Sequence, residues 1–199
     1  MSFKNIGLKE PILKALQQKG YKEPTPIQQL AISSILKNKD VMAAAQTGTG
    51  KTACFTLPIL EILSNNQENK NYHELNALIV TPTRELASQV HDNIKSYGKH
   101  LSLKSIAIYG GVSDVNQKQA INNGVDIMVA TPGRLLDLYH QKAINFSKIK
   151  ILVLDEADQM LDMGFINDIK KIDKYLPKQR QNLMFTATFS DPFLSLIHI

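Results

Sequence analysis

Short runs of apolar, mostly β-branched residues alternate along this chain with longer segments of helical periodicity. The short runs have the length of buried strands, whereas the longer segments repeat their apolar positions every three to four residues. The predicted strands span 40–45, 77–81, 104–109, 125–130, 149–155 and 182–188. Because apolar strands that alternate with helices are typical of parallel sheets covered on both sides, the pattern predicts an α/β fold. Its central sheet is expected to be mainly parallel, with helices on both faces.

The same pattern predicts several helices and one exposed loop. Helices are expected over 8–20, 24–36, 83–99 and 133–142. Thr25 is placed to cap the helix that begins at Pro26, and Gly20 is a stop signal for the helix before it. The polar stretch 64–74 has no periodicity and predicts a loop.

Polar motifs follow the predicted strands at the point where each strand ends. They come after Ala45, Thr81, Tyr109, Ala130, Leu154 and Phe185. Parallel sheets of this class bind ligands at the carboxyl ends of their strands. The sequence therefore predicts one functional edge of the sheet.

Composition and charge narrow the class of protein. With 199 residues, of which 43% are apolar, the chain can bury one substantial core. Its net charge of +5 fits a polyanionic partner without establishing one. The single cysteine, Cys54, excludes an internal disulfide, predicts a reducing compartment, and is expected to pack in the core. No apolar run resembles a signal peptide or a membrane span, so we predict a cytoplasmic protein without membrane association.

The stretch "AQTGTGKT" at 45–52 matches a Walker A phosphate-binding motif, with Ala45 in place of the usual first glycine. Glycines allow successive backbone N–H groups to turn toward a phosphate, and the helix N-terminus adds its partial positive charge. Lys51 can reach the β- and γ-phosphates, and the Thr52 hydroxyl can bind Mg²⁺. The predicted nucleotide-binding residues here are Gln46, Thr47, Gly48, Thr49, Gly50, Lys51 and Thr52.

Two carboxylates lie at the carboxyl end of the predicted strand at 149–155. Asp155 is placed to hold Mg²⁺, partly through water, and Glu156 can orient and deprotonate the water that attacks a phosphate. The alternative is an acidic helix N-terminus that the helix dipole favours. Because a Walker A motif accompanies the pair, we interpret Lys51, Asp155 and Glu156 as catalytic.

Several motifs together resemble one protein family. They are "AQTGTGKT", "PTRELA" at 82–87, "TPGR" at 131–134 and "DEAD" at 155–158. In this order they resemble the first RecA-like domain of a DEAD-box ATP-dependent RNA helicase. The surrounding "SFKNIGL", "EPTPIQQ" and "LDMGFINDI" are most similar to the bacterial RhlE-like group. The resemblance implies a RecA-like P-loop domain over 38–199, preceded by a Q-motif helical region over 1–37.

The resemblance also implies ATP and Mg²⁺ as cofactors. The family's Q motif matches "GYKEPTPIQ" at 20–28. Gln28 is then expected to read the adenine edge through its amide, with Tyr21 against the ring and Phe3 behind the motif. Without the family, the sequence favours an ordinary core or surface aromatic at Tyr21 over an adenine contact. No guanine-reading motif appears, since "NKD" at 38–40 has the wrong spacing.

A second set of residues matches family positions that hold one strand of RNA. They are Pro82, Thr83, Arg84, Gly110, Gly111, Thr131, Pro132, Gly133 and Arg134. Backbone amides, hydroxyls and arginine forks contact phosphates and sugars, so such a groove follows the RNA backbone without reading bases. Taken singly, each motif is also an ordinary turn between a strand and a helix.

The family's Ser-Ala-Thr motif, which couples ATP state to unwinding, appears here as Thr186, Ala187 and Thr188. The hydroxyl is retained, so we expect it to hydrogen-bond to Asp158. The additional methyl group of Thr186 is a departure that bears on this coupling.

The motifs of the family's second RecA-like domain are not found in these 199 residues. That domain supplies arginine fingers, which are worth about 10³–10⁵ in rate. We therefore expect a truncated C-terminal end, a monomer, and feeble ATP hydrolysis by this polypeptide alone. Two hypotheses stay open: half of a helicase, or a non-catalytic, ATP-gated RNA-binding or interaction module. A P-loop kinase or transporter ATPase is disfavoured by the motif set.

Overall fold

Six short apolar segments form one parallel sheet. The structure, a computed structural model, describes residues 2–45, 48–67 and 72–188. In this part of the chain the strands are β1 (Val41–Ala44), β2 (Ala77–Val80), β3 (Ser105–Ile108), β4 (Ile127–Ala130), β5 (Ile151–Leu154) and β6 (Gln181–Thr186). They lie in the order β1-β6-β5-β2-β4-β3, and every neighbouring pair is parallel. The predicted parallel α/β sheet is confirmed.

Helices connect the strands and cover the sheet. After a 3₁₀ turn at Phe3–Ile6, they are α1 (Glu10–Gln18), α2 (Pro26–Leu36), α3 (Lys51–Gln67), α4 (Arg84–Tyr97), α5 (Val115–Asn122), α6 (Pro132–His140), α7 (Ala157–Asp162) and α8 (Ile166–Tyr175). The predicted start of α2 is confirmed, because Thr25 accepts a hydrogen bond from Gln28 N and Pro26 is the first helical residue. Gly20 lies just beyond α1 with φ of +79°, as expected of a helix stop.

The sheet separates two hydrophobic layers. Along β2, Ala77 and Ile79 face the first layer, whereas Leu78 and Val80 face the second. Successive strand residues point to opposite faces, so a strand that is apolar throughout must be covered on both sides. The first layer contains apolar residues of α1 to α4, and the second contains those of α6, α7 and α8.

Cys54 is fully buried in the first layer. Burial raises the pKa of its thiol to about 12, so the residue packs as a small apolar side chain. The helices of the N-terminal region pack in this same layer, through residues such as Ile12 and Ile32. The boundary between 1–37 and the rest of the chain stays a prediction.

The predicted loop at 64–74 is wrong over its first residues. Helix α3 continues to Gln67, and Ser64 is buried, with its hydroxyl donating to the carbonyl oxygen of Glu61 at 2.9 Å. Serine can satisfy its hydroxyl on the preceding helical turn, so a polar residue here does not end the helix.

The last strand is also shorter than predicted, since β6 ends at Thr186 rather than at 188. The next two backbone N–H groups, of Ala187 and Thr188, donate to the carboxylate of Asp158. The chain therefore leaves the sheet to bond a side chain.

Candidate functional site

The phosphate-loop motif connects the end of β1 to the start of α3. Ala45 N still donates to the carbonyl oxygen of Thr186 at 3.0 Å, so the turn begins after Ala45. Gly48 and Gly50 have φ of +88° and +87°, a conformation that glycine adopts without steric cost. Gln46 and Thr47, which the sequence also assigns to this loop, lie outside the described residues.

Two opposite charges are buried together beside this loop. Lys51 and Asp155 keep only 7% and 2% of their surface exposed. Both line one cavity, yet Lys51 Nζ and Asp155 Oδ1 find no hydrogen-bond partner within the described residues. Buried charged atoms without partners are costly, so a site of this kind favours a ligand that supplies the partners.

The protonation of Asp155 reflects this burial. Loss of water raises the pKa of its carboxyl to about 7, in opposition to the attraction of Lys51, and the charge of Glu156 raises it as well. A divalent cation would reverse the effect, because positive charge favours the carboxylate form. The donor set therefore fits Mg²⁺ at Asp155.

Glu156 occupies a strained position between β5 and α7. Its φ of 53° and ψ of 50° lie in the left-handed region, where a non-glycine residue is uncommon. The residue caps α7 at the carboxyl edge and lines the same cavity as Asp155. Strain of this kind recurs at functional sites, and here it accompanies a partly exposed carboxylate residue in the wall of the cavity.

The side-chain amide of Gln28 is hydrogen-bonded to the phosphate loop and is not free. Its amide oxygen accepts from Thr25 N at 2.9 Å, and its amide nitrogen donates to the carbonyl oxygen of Gly50 at 3.2 Å. The Thr25 hydroxyl donates to the carbonyl oxygen of Thr49 at 3.3 Å. The Q-motif segment and the phosphate loop are therefore in direct contact, and an adenine would have to share or replace these hydrogen bonds.

Aromatic residues form the wall next to Gln28. The Tyr21 ring packs edge-on against Phe3, with centroids 6.3 Å apart, and against Tyr97, at 6.0 Å. The Tyr21 and Tyr97 hydroxyls are hydrogen-bonded at 3.0 Å. Phe3 is buried behind Tyr21, as predicted, and Tyr21 keeps 38% of its surface exposed on the cavity.

Helix α4 contributes a wall that sequence reasoning missed. The cavity, of about 230 Å³, is also lined by Leu86, Gln89, Asn93 and Tyr97. These residues recur every three or four positions along α4 and so share one face of the helix. Their spacing was visible in the sequence, but only the packing of α4 beside α3 shows which face meets the phosphate loop.

Arg84 and the two glycines after β3 come together at the carboxyl edge. Thr83 caps α4 and accepts from Leu86 N at 3.2 Å. The adjacent Arg84 guanidinium lies 5.2 Å from the centre of the Tyr109 ring, so it is held next to Gly110 and Gly111. A side chain at Gly110 would meet nothing within 4 Å, which leaves open space for a ligand backbone.

Arg134 joins this edge from α6. Its Nη2 donates to the carbonyl oxygen of Val112 at 3.0 Å, and its Nη1 is buried without a partner in the described chain.

The other predicted residues lie at the turns before α4 and α6. Thr131 precedes α6 but makes no side-chain cap, while a side chain at the exposed Gly133 would meet nothing within 4 Å. Pro82 and Pro132 are buried and set the turns before their helices. The predicted RNA-contacting residues thus lie around one arginine-bearing edge.

Asp158 connects α7 to the end of β6. Its Oδ2 accepts from Ala187 N at 3.0 Å, Thr188 N at 3.2 Å and the Thr188 hydroxyl at 3.3 Å. Burial alone would raise the pKa of Asp158, but the backbone N–H of Ala187 and the other hydrogen bonds hold it below its usual value. The Thr186 hydroxyl, which the sequence predicts to bond Asp158, instead donates to the carbonyl oxygen of Thr188 at 2.7 Å, and the Thr188 hydroxyl bonds Asp158. Thr186 still lies close enough to lower the pKa of Asp158.

The described residues hold neither a metal-ligand cluster nor a helix fit to span a membrane. Among the described residues, no group of three or more His, Cys, Asp or Glu side chains gathers to hold a metal. A metal at this edge would therefore depend on Asp155, Thr52, water and oxygens of the bound phosphates. In the same part of the chain, none of the helices combines the length and the apolar character needed to cross a bilayer.

These features define a class: an α/β protein with a phosphate loop after one strand and an acidic pair after another strand of the same sheet. The family model for DEAD/DEAH box helicases matches residues 25–196. The chain belongs to the DEAD/DEAH box helicase family. Its RecA-like fold agrees with a solved structure of a DEAD box protein from the hyperthermophile Methanococcus jannaschii, at a TM-score of 0.92 and 40% identity. The match covers 100% of this chain and 53% of that one.

Two curated relatives give the same family. The chain is 48% identical over 195 residues to the DEAD-box ATP-dependent RNA helicase RhpA of Helicobacter pylori. It is 45% identical over 188 residues to the ATP-dependent RNA helicase CshA of Limosilactobacillus reuteri. These matches cover 98% and 94% of this chain but only 38% and 37% of the relatives. Neither name specifies the RhlE-like group, so that assignment stays a prediction.

Proposed function

We propose that this chain is the first, ATP-binding half of an ATP-dependent RNA helicase. The observation that carries the proposal is the buried pair of Lys51 and Asp155, whose free polar atoms face the cavity of the phosphate loop. The relatives are named ATP-dependent RNA helicases, which supports the same activity for the whole protein. Because the chain spans 38% of RhpA, coupling and unwinding belong to the longer protein.

The phosphates of ATP fit the loop between Gly48 and Thr52. Backbone N–H groups at the start of α3 and the Lys51 ammonium supply the positive charge that phosphates require. Thr52 and Asp155 would hold Mg²⁺, which neutralises phosphate charge when it is bound. Tyr21 would lie against the adenine, and Gln28 would contact its edge by exchanging its bond to the phosphate loop.

Glu156 is the proposed general base. It would orient the attacking water and accept its proton while Lys51 stabilises the charge on the transferred phosphate. The cavity of about 230 Å³ is smaller than usual small-molecule sites of about 300–1,000 Å³. A second domain that closes over the nucleotide would supply the missing wall.

RNA is proposed to cross the carboxyl edge beside the ATP site. Arg84 and Arg134 would contact phosphates, and the open glycines at 110, 111 and 133 would allow the strand to approach the backbone. Asp158 would transmit the state of the nucleotide to Thr186 and Thr188, since it bonds the segment after β6.

The direct test measures binding of a fluorescent ATP analogue with Mg²⁺ to the 199-residue chain. We expect Lys51→Ala to weaken binding at least tenfold, because it removes a charge-assisted contact to phosphate. Lys14→Ala is the matched control, since Lys14 is an exposed lysine of α1 outside the cavity. Equal affinity in wild type and Lys51→Ala would exclude the proposed phosphate site.

The second candidate is a non-catalytic, ATP-gated RNA-binding module. The small, one-sided cavity favours it for this chain taken by itself. Glu156→Gln discriminates the two, since it keeps the size and polarity of the side chain but removes the base. In the full-length protein a helicase should lose about 10²–10⁴ in RNA-stimulated ATP turnover, with ATP binding retained. A module would bind RNA in an ATP-dependent way and show neither turnover nor strand displacement.

A further inference from the structure

An aromatic groove lies at the opposite end of α6 from the predicted RNA-contacting edge. We define it by Tyr139, His140, Lys142, Phe146 and Tyr175, which line an open cavity of about 600 Å³. Helix α6 begins at Pro132, next to Arg134, and ends at His140. At 1.5 Å per residue, the two ends of α6 are about 12 Å apart.

The rings in the groove are stacked rather than loosely packed. Tyr139 stacks on Phe146, with centroids 4.7 Å apart and an interplanar angle of 4°, and on Tyr175 at 4.4 Å and 28°. His140 meets Tyr175 edge-on at 6.0 Å. Phe146 is the buried floor, whereas Tyr175 keeps 39% of its surface exposed. The stack therefore ends in an exposed tyrosine ring.

The charge around the groove is strongly positive. Its lining holds Lys142 and His140 and no carboxylate. The segments 137–150 and 168–180, which carry the groove, contain eight Lys and Arg residues and three Asp. Their surplus equals the net charge of +5 of the entire chain. All three carboxylates are already paired, Asp137 with Arg134, Asp168 with Lys171 and Asp173 with Arg180.

The end of α6 does not cancel this charge. A helix C-terminus carries partial negative charge on its free carbonyl groups. Here Ala143 N donates to the carbonyl oxygen of Leu138 at 3.0 Å, and Lys142 N donates to that of Tyr139 at 2.9 Å. These bonds satisfy the carbonyl oxygens of Leu138 and Tyr139, and Lys142, with φ of 58°, turns the chain sharply at the groove.

We propose that this groove is a second binding site for single-stranded nucleic acid, separate from the carboxyl edge. A base would stack on the exposed ring of Tyr175, and a neighbouring phosphate would contact Lys142. Aromatic platforms within a basic groove bind single strands without sequence preference, because every base has a π-face. The short span of α6 would let one continuous strand contact both sites. The inference does not depend on ATP hydrolysis.

The test measures binding of a fluorescein-labelled 12-nucleotide oligouridine to the 199-residue chain by polarisation, without nucleotide. Tyr175→Ala is expected to weaken binding about fivefold or more, as for the loss of one stacked base. Tyr175→Phe retains the ring and should bind as wild type does. Leu30→Ala is the control, since Leu30 is a highly exposed apolar residue of α2. Thermal melting of each variant establishes that it is folded.

Lys142→Asn tests the phosphate contact, since asparagine tolerates a positive φ. It should lower the slope of log affinity against log salt by about 0.7, the value for one phosphate of a single strand. Photocrosslinking with a 4-thiouridine oligonucleotide should label peptides that contain Tyr139 or Tyr175.

Any of the following outcomes would overturn the proposal. They are no oligouridine binding by wild type, unchanged binding by Tyr175→Ala, an equal loss in Tyr175→Phe, and crosslinks confined to the carboxyl edge. Competition by polyglutamate as effective as that by oligouridine would also overturn it, since it would show an acidic-protein surface without base stacking. None of these outcomes bears on Lys51 or Glu156, so the proposed ATP site would stand.

Discussion

Two neighbouring regions of the carboxyl edge, the cavity beside the phosphate loop and the contact between α7 and the end of β6, differ in how their charged residues are paired. Beside the phosphate loop, Lys51 Nζ and Asp155 Oδ1 are buried without partners in the described chain. Next to them, Asp158 has three hydrogen bonds from the segment after β6. One motif, residues 155–158, therefore holds one carboxylate with an oxygen that the described chain leaves unpartnered and another that is hydrogen-bonded within the fold.

This difference has a physical origin in burial. Asp155 is almost fully buried after a central strand, where few protein donors reach it. Asp158 lies in the first turn of α7 and is only partly buried, where the exposed backbone of Ala187 and Thr188 can reach it. The pKa of the first is raised and that of the second is lowered, although both belong to the same short motif.

The largest expected effect comes from adding a side chain at Gly50, next to Gln28. Gly50 has φ of +87°, and a Cβ there would lie 2.3 Å from Gln28 Nε2. We expect Gly50→Ala to lower the free energy of unfolding by about 3 kcal/mol, through strain and overpacking together. The measurement is urea unfolding followed by circular dichroism.

Gly20→Ala is the control for strain alone, because Gly20 has φ of +79° with nothing within 4 Å. Gly20→Ala should lower the free energy of unfolding by about 1–2 kcal/mol. Equal losses of unfolding free energy in the two variants would show that steric contact with Gln28 adds nothing to the cost at Gly50.

An effect on stability of intermediate size is expected at Asp155. Its carboxyl has a pKa of about 7 in the folded chain against 3.8 as the ordinary value, so the folded state holds the proton more tightly between these pH values. Stability is therefore lost as pH rises from about 4 to 7 and is flat above, in the absence of Mg²⁺ and ATP. Asp155→Asn lacks this loss and should melt about 5 °C higher than wild type at pH 8.

The measurement is thermal melting at pH 5 and at pH 8. The increase in melting temperature caused by Asp155→Asn should be smaller at pH 5 than at pH 8. A lower melting temperature than wild type at pH 8 would mean that Asp155 is already paired.

The smallest effect, and one of opposite sign, is expected at Asp158. Because its folded pKa is lowered, its contribution is present above the ordinary pKa and is lost as pH falls through the folded value. Asp158→Asn should lower the free energy of unfolding by about 1 kcal/mol at pH 7, since its hydrogen bonds lose their ionic character. Urea unfolding at pH 7 measures this change in the free energy of unfolding. A more stable Asp158→Asn variant would contradict the opposite signs expected for Asp158 and Asp155.

Much of the edge could be predicted from sequence because its signals are local. The alternation of apolar runs and helices gave the order of strands and helices along the chain, and turn residues such as Thr25 and Pro26 marked a helix start. The phosphate-loop and acidic motifs are likewise contiguous, so residue spacing alone indicates their chemistry. The loop predicted at 64–74 failed because Ser64 satisfies its hydroxyl within α3, which composition does not reveal.

Contacts between distant residues could not be predicted in this way. Nothing in the spacing shows that Tyr97 bonds Tyr21, that Gln28 bonds Gly50, or that Asn93 lines the cavity. Each contact joins residues far apart in the chain, and many helix faces are compatible with the same periodicity. The aromatic groove has the same origin, since Tyr139 and Tyr175 meet only because α6 and α8 pack side by side.

The sequence by itself determined the parallel α/β class, the functional edge and the chemistry of the residues placed there, because strand burial and motif spacing are encoded locally. Only the tertiary structure decided which charges lack partners. Burial depends on the order of strands in the sheet, and this order places the Asp155 carboxylate beside Lys51 in the interior but leaves that of Asp158 within reach of backbone donors.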